Sequence, residues 1–512
     1  MRAVPKLFSA ELDGIHAELI EVEADLNVGL HSFNIVGLAD KAVSEAKERV
    51  NSALKNSGIK PPTKENRRIT VNLAPADIKK AGSRFDLPIA IAYLLASDQL
   101  KSFDASDKLF VGELSLDGAL RRINGSLAIA LAAKRKKLKK IFLPQTNAAE
   151  AAAVGGIEVI PVSNLTELIH HLEETELITP HESTQISPSF PPALVELNEI
   201  KGLAAAKRAL LVAASGGHNI LFTGPPGTGK TMLAQAMTSI LPPPTHEECL
   251  EITQIWSAAD MNIDHPMISW RPFRSPHHSA SLVSVLGGGT NPRPGEISLA
   301  HRGVLFLDEM PEFHRDVLEG LRQPLEDGRI VIARAKKSLT FPARFTLLAS
   351  MNPCPCGYFE DPERECRCTA NEILRYQRKI SGPLLDRIDI QLEVPRTPIE
   401  ELRKKTHSVD KGGEKDLVLH ARERQTKRFE HIKPKIHSNA ELTSKQVEEF
   451  IFLNHEAENF LKRALERSFI SPRGYYRLLK VAQTIADLDN APSVTADHLA
   501  EAFQYRLKTN ED

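Results

Sequence analysis

The run Gly224-Pro225-Pro226-Gly227-Thr228-Gly229-Lys230-Thr231 has the spacing of a phosphate cradle. It follows the apolar segment 219–223 and opens a helical pattern over 232–240. In that setting, backbone N–H groups and the helix N-terminus hold phosphates, Lys230 neutralises the β and γ oxygens, and the Thr231 hydroxyl ligates magnesium. Further along, the apolar run 304–307 ends in Asp308 and Glu309. Adjacent carboxylates at a strand end suit two jobs, Asp308 holding magnesium through water and Glu309 polarising the attacking water. Asn352 follows the apolar run 345–350, where an amide can orient that water or the γ-phosphate; read alone, it is a turn residue.

These side chains need a parallel sheet to carry them. The runs 219–223, 303–307 and 345–350 read as strands alternating with helices, and the Asp308-Glu309 strand is expected beside the P-loop strand. Before them, a Ser- and Pro-rich stretch at 181–193 reads as a linker. The segment 1–180 mixes strand patterns (68–73, 140–143) with helical ones (39–57, 125–137), a compact α/β domain by size and pattern. The ATPase domain is expected over 194–395. From about Thr397 the strand signal stops, and 396–512 reads as amphipathic helices with a polar interruption at 408–415.

The order P-loop, Asp-Glu pair, Asn resembles the AAA+ ATPases, in which this Asn is sensor 1. Arg387, in Gly382-Pro-Leu-Leu-Asp-Arg-Ile-Asp389, looks like the arginine finger of the magnesium-chelatase and MCM branch, donated to a neighbouring subunit's ATP. Arg473, in Ser471-Pro-Arg-Gly-Tyr-Tyr-Arg477, looks like the sensor 2 arginine of a helical lid. Either guanidinium would neutralise charge that develops during phosphoryl transfer. Read without the motif, Arg387 would pair locally with Asp386 or Asp389.

Between 329 and 344 two alternating arms flank Lys336 and Lys337 with no acidic residue, which suggests a β-hairpin with a basic tip fit to touch DNA phosphates. The resemblance places it where related motors carry a presensor hairpin. Segments 271–278, 281–289 and 292–295 are rich in Gly and Pro and read as a long ordered loop. His277 and His278 lie in it without a carboxylate cluster to complete a metal site. The basic run 134–140 ends a helix before a strand, a place where cations also suit the helix dipole. Cys354, Cys356, Cys366 and Cys368 could fold back around a structural zinc ion in the loop 354–368, although the spacing within each pair is tight and free thiols are the alternative.

Segments 8–14, 33–40, 72–77 and 82–88 (FSAELDG, FNIVGLAD, NLAPAD, GSRFDLP), followed by the motifs above, resemble the ComM (YifB) family of magnesium-chelatase-like AAA+ proteins along essentially the whole chain. That resemblance implies an α/β AAA+ P-loop module with a C-terminal helical lid, preceded by an α+β Lon-protease-like (ribosomal S5 domain 2-like) domain. It implies ATP and Mg2+ as ligands and a homo-oligomeric ring, expected to be a hexamer. The activity implied is that of a DNA helicase driving branch migration on single-stranded or branched DNA in natural transformation, beside other recombination proteins. Aligned with Lon, Asp86 falls where Lon has its nucleophilic Ser and Leu127 where it has Lys, so no proteolysis is expected; Ser83 reads as a turn residue.

The chain has 512 residues, with 65 Lys plus Arg against 66 Asp plus Glu. That balance excludes binding nucleic acid by bulk charge and leaves only local basic surfaces. The acidic N-terminal thirty residues and the shortness of the longest apolar stretch, 87–97, point to a cytoplasmic protein with no membrane partner. Rival readings are a chelatase motor that drives metal insertion through a partner subunit, an ATP-dependent protease or unfoldase, and a noncatalytic DNA scaffold.

Overall fold

The computed structural model describes residues 4–64, 66–183, 195–261, 265–289, 292–333, 338–403, 413–433, 435–467 and 470–506. The chain forms two compact units, Met1–Ser187 with Thr245–Ser269, and Pro188–Pro244 with Trp270–Asp512. Most of the expected linker lies outside the described residues. The segment Thr245–Ser269 belongs to the first unit, an excursion that the sequence reading does not contain.

The first unit is built on a seven-stranded mixed sheet. Its order is Ser32–Val36, Arg67–Ala74, His16–Val28, Lys6–Asp13, Lys108–Phe110, Lys140–Pro144, Glu158–Val162. His16–Val28 runs antiparallel to both neighbours, while the last three strands run parallel to Lys6–Asp13. Successive residues of a strand point to opposite faces. Accordingly Leu109, Ile141 and Val159 enter one core while Phe110, Phe142 and Ile160 enter another. Helices Ala46–Asn56 and Asp86–Ala96 supply the second of these cores; Ser126–Arg135, Gln145–Ala152 and His246–Ala258 supply the first. The excursion helix starts on a reciprocal cap. Thr245 N–H donates to Glu248 Oε2 at 2.9 Å and Glu248 N–H to Thr245 Oγ1 at 3.3 Å. Gln254 then donates to the Ile15 carbonyl at 2.7 Å, tying the helix to the first hairpin.

In the second unit, five parallel strands lie in the order Phe273–Arg274, Val304–Leu307, Thr346–Met351, Ile220–Thr223, Ile390–Glu393. The expectation that the Asp-Glu strand adjoins the P-loop strand is therefore corrected: Thr346–Met351 lies between them. All three are continuous apolar runs, as strands covered on both faces must be, so their sequences carry no sign of which neighbours which.

The described C-terminal helices are Gly413–Arg428, Ser444–Phe450, His455–Arg467, Pro472–Leu488 and Ala496–Gln504. Val481, Ile485 and Ala502 share one core with Ile220, Phe222 and Leu348 of the sheet. Most of the expected interruption at 408–415 lies outside the described residues, and the helix beginning at Gly413 takes up its end.

Candidate functional site

The P-loop strand Ile220–Thr223 is buried, and the helix Lys230–Ile240 begins at the motif's lysine. Gly229 caps that helix with φ +87°, a left-handed conformation that a side chain at this position would strain. Lys230 Nζ donates to the carbonyls of Gly224 and Pro225 at 2.6 and 2.8 Å and to Asn352 Oδ1 at 3.2 Å. Burial pushes the Lys230 ammonium down to about 8, and the carboxylates of Asp308 and Glu309 oppose that fall.

Thr231 Oγ1 donates to Asp308 Oδ2 at 3.0 Å. A hydroxyl that ligates Mg2+ and a carboxylate that holds a metal-bound water can bond one another in this way, so the pair suits magnesium. Ser350 Oγ donates to Asp308 Oδ1, and Glu309 N–H donates to Ser350 Oγ at 3.2 Å. Glu309 itself is left-handed, at φ 51° and ψ 49°. Because Thr346–Met351 is the middle strand, its end presents Ser350 to the Asp-Glu pair and Asn352 to Lys230. Sequence reasoning missed Ser350, whose only signal is a hydroxyl near the end of an apolar strand. It also missed Tyr376, which bonds the Asn352 backbone and whose phenol burial pushes up to about 12.

Arg387 and Arg473 form a second group. Both reach Glu326: Arg387 through Nη2, and Arg473 Nη2 at 2.9 Å. Arg387 also donates to the Pro383 carbonyl at 2.7 Å and is buried, whereas the Arg473 side chain is 59% exposed. The local pairing of Arg387 with Asp386 or Asp389 does not form. Asp389 bonds Arg477 at 2.8 Å instead. Glu326, unmarked by any motif, lies in the helix Arg322–Asp327 just before the basic hairpin.

That hairpin forms as the antiparallel strands Arg329–Ile332 and Leu339–Pro342, with Ile332 opposite Leu339. Lys336 and Lys337 lie outside the described residues. In the 271–289 region, His277 and His278 bring their rings to 4.0 Å, and Arg274 pairs with Glu296 at 2.6 Å. The basic run 134–140 is partly tied down, Lys140 by Glu158 at 3.1 Å and Lys134 by the Val154 carbonyl at 3.1 Å.

Among the described residues, the one His, Cys, Asp or Glu group gathered closely enough to hold a metal ion is Cys354, Cys356, Cys366 and Cys368. Their sulfurs all lie within 4.8 Å of one another. The separations are 3.4 Å for Cys354–Cys356, 3.7 Å for Cys354–Cys366 and 3.6 Å for Cys356–Cys366. In the first unit, Asp86 is fully buried and bound in bidentate fashion by Arg49 at 2.6 and 2.9 Å, Leu127 is buried, and Ser83 donates to Glu113.

Family models describing the ChlI subunit of magnesium chelatase match residues 196–402 and 22–147, and a model of that subunit's C-terminal part matches 414–506. The chain is 43% identical over 504 residues to the competence protein ComM of Haemophilus influenzae, covering 98% of this chain and 97% of that protein. It is 43% identical to YifB of Escherichia coli, covering 96% and 95%. A Lon protease of Azorhizobium caulinodans is 28% identical over 166 residues, 31% of this chain and 19% of that protein. The chain belongs to the ComM (YifB) family of magnesium-chelatase-like AAA+ ATPases.

Proposed function

We propose that the protein is an ATP-driven DNA motor, a branch-migration helicase that works as a ring, expected to be hexameric, during recombination of incoming DNA. The observation that carries the ATPase half is the contact chain Lys230–Asn352, Thr231–Asp308 and Asp308–Ser350–Glu309, which gathers a full hydrolytic set at one end of a parallel sheet.

In this reading residues 224–231 cradle the ATP phosphates. Thr231 and Asp308 hold Mg2+, which supplies charge neutralisation at the β and γ oxygens. Glu309 takes a proton from the attacking water, and Asn352, released from Lys230, orients that water. Arg387 acts on the ATP of a neighbouring subunit and Arg473 acts from the helical lid 396–512. Subunit contact must then draw Arg387 from Glu326. The hairpin 329–344, with Lys336 and Lys337, follows the DNA backbone.

The name of the Haemophilus relative, a competence protein, supports a DNA role, and the first unit then serves assembly or DNA contact without proteolysis. Asp86 held by Arg49 and Leu127 in the core supply neither nucleophile nor base. The four cysteines hold a structural Zn2+. The family models favour one second reading, a chelatase-type motor acting through a partner subunit. ATP hydrolysis measured with and without single-stranded and branched DNA separates the two. Several-fold stimulation supports the DNA motor, and an unchanged rate rejects it.

A further inference from the structure

The four-cysteine loop begins two residues after Asn352 and returns to the phosphate cradle. Gly357, directly after Cys356, lies against Pro226 in the middle of the P-loop. A Cβ at Gly357 would stand 2.6 Å from Pro226 Cδ, and its φ of +85° is itself left-handed. The turn is closed by Gly357 N–H donating to the Cys354 carbonyl at 3.0 Å. The P-loop and the sensor strand are also joined directly, Gly224 N–H donating to the Met351 carbonyl at 3.2 Å. On its far side the loop is pinned by Arg396, which bonds Asp361 at 2.9 Å and lies over the Tyr358 ring.

Thiolates about 2.3 Å from one zinc ion stand roughly 3.8 Å apart at the corners of a tetrahedron. The separations of 3.4 to 3.7 Å among Cys354, Cys356 and Cys366 fit that arrangement and are far from the ~2.0 Å of a disulfide, and the Cys368 sulfur completes the group within 4.8 Å. A two-iron cluster would spread four thiolates more widely than the observed 4.8 Å. Backbone N–H groups of Tyr358 and Arg367 point at the Cys356 sulfur and that of Cys368 at the Cys366 sulfur, outer contacts that orient thiolate ligands.

We propose that Zn2+ on Cys354, Cys356, Cys366 and Cys368 braces the nucleotide site, fixing Gly357 against Pro226, so that ATP affinity depends on this second metal. The proposal rests on reading the four cysteines as a zinc site and the P-loop as an ATP site. Without zinc, the loop 354–368 loses the link between its two cysteine pairs, and the surface that backs the P-loop loses its shape. Zinc takes no part in the chemistry, because four thiolates leave it no open position.

The test uses the full chain as wild type and as Gly357→Ala, a variant that keeps all four thiols but drives a methyl group into Pro226. Zinc per chain is measured by elemental analysis, and affinity by titration with a fluorescent ATP analogue in excess Mg2+. Wild type is expected to hold one zinc per chain. Stripping it with a chelator should weaken nucleotide binding at least tenfold, with recovery when zinc is restored. Gly357→Ala should keep its zinc and lose affinity to a similar degree. A wild-type chain without zinc would overturn the metal reading. Zinc present in both chains, with affinity unchanged by its removal and by Gly357→Ala, would overturn the brace and leave the zinc site standing.

Discussion

Lys230 sets the first measurable consequence. With its ammonium pushed by burial down to about 8, the free protein starts to lose this cation at mildly alkaline pH. Bound phosphate oxygens raise the same group, so ATP binding takes up a proton above that pH. Affinity is therefore expected to be nearly flat from pH 6.5 to 7.5 and to fall about tenfold per unit above pH 8. A titration of a fluorescent ATP analogue across pH 7 to 9.5 checks this, and a flat profile would contradict it.

Glu309 gives the second prediction. A left-handed non-glycine residue costs about 1–3 kcal/mol and persists where the surroundings fix it, here the Ser350 hydroxyl and the Asp308 carboxylate around its amide. Glu309→Gln keeps that geometry and removes the carboxylate proposed as the base. It should bind ATP normally and hydrolyse it about a hundredfold or more slowly; near-normal turnover would exclude Glu309 as the base. The P-loop residues were legible because the phosphates they cradle set their spacing along one loop and helix start, and Asp308 and Glu309 because they adjoin at the end of an apolar strand. Ser350 and Glu326 were not, because their partners are 42 and 61 residues away and no spacing rule links them.

Among the elements, the hairpin is the one proposed to couple hydrolysis to DNA. Lys336→Ala with Lys337→Ala should bring the ATPase rate in the presence of DNA down towards the DNA-free rate, and full stimulation in that variant would remove the hairpin from the account. The arms of the hairpin were readable from alternating residues and a basic turn. The strand order was not, since three buried parallel strands of near-continuous apolar sequence are interchangeable to pattern reading. The helix His246–Ala258 was equally hidden. Its capping pair Thr245 and Glu248 marks a start, but its partners Ile15 and Glu150 lie far back in the chain, where local periodicity has no reach.

At the scale of the whole molecule, the account requires a shared site. Arg387, held on Glu326 inside one chain, is assigned to the ATP of the next. Arg387→Ala and Lys230→Ala should each be inactive, the first still binding ATP. Mixed in equal amounts they should regain hydrolysis, because about a quarter of the interfaces in a randomly mixed ring pair an intact P-loop with an intact arginine. A mixture as inactive as its parts would place Arg387 outside the neighbour's site.

The central claim is that hydrolysis at this site moves a ring along DNA. Its most direct test is the rate at which a synthetic branched DNA, labelled on two arms, resolves when purified protein, Mg2+ and ATP are added, with plain duplex and single strand alongside. The account predicts branch movement that requires ATP and stops with Glu309→Gln. Vigorous ATP hydrolysis with the branch point stationary would contradict it.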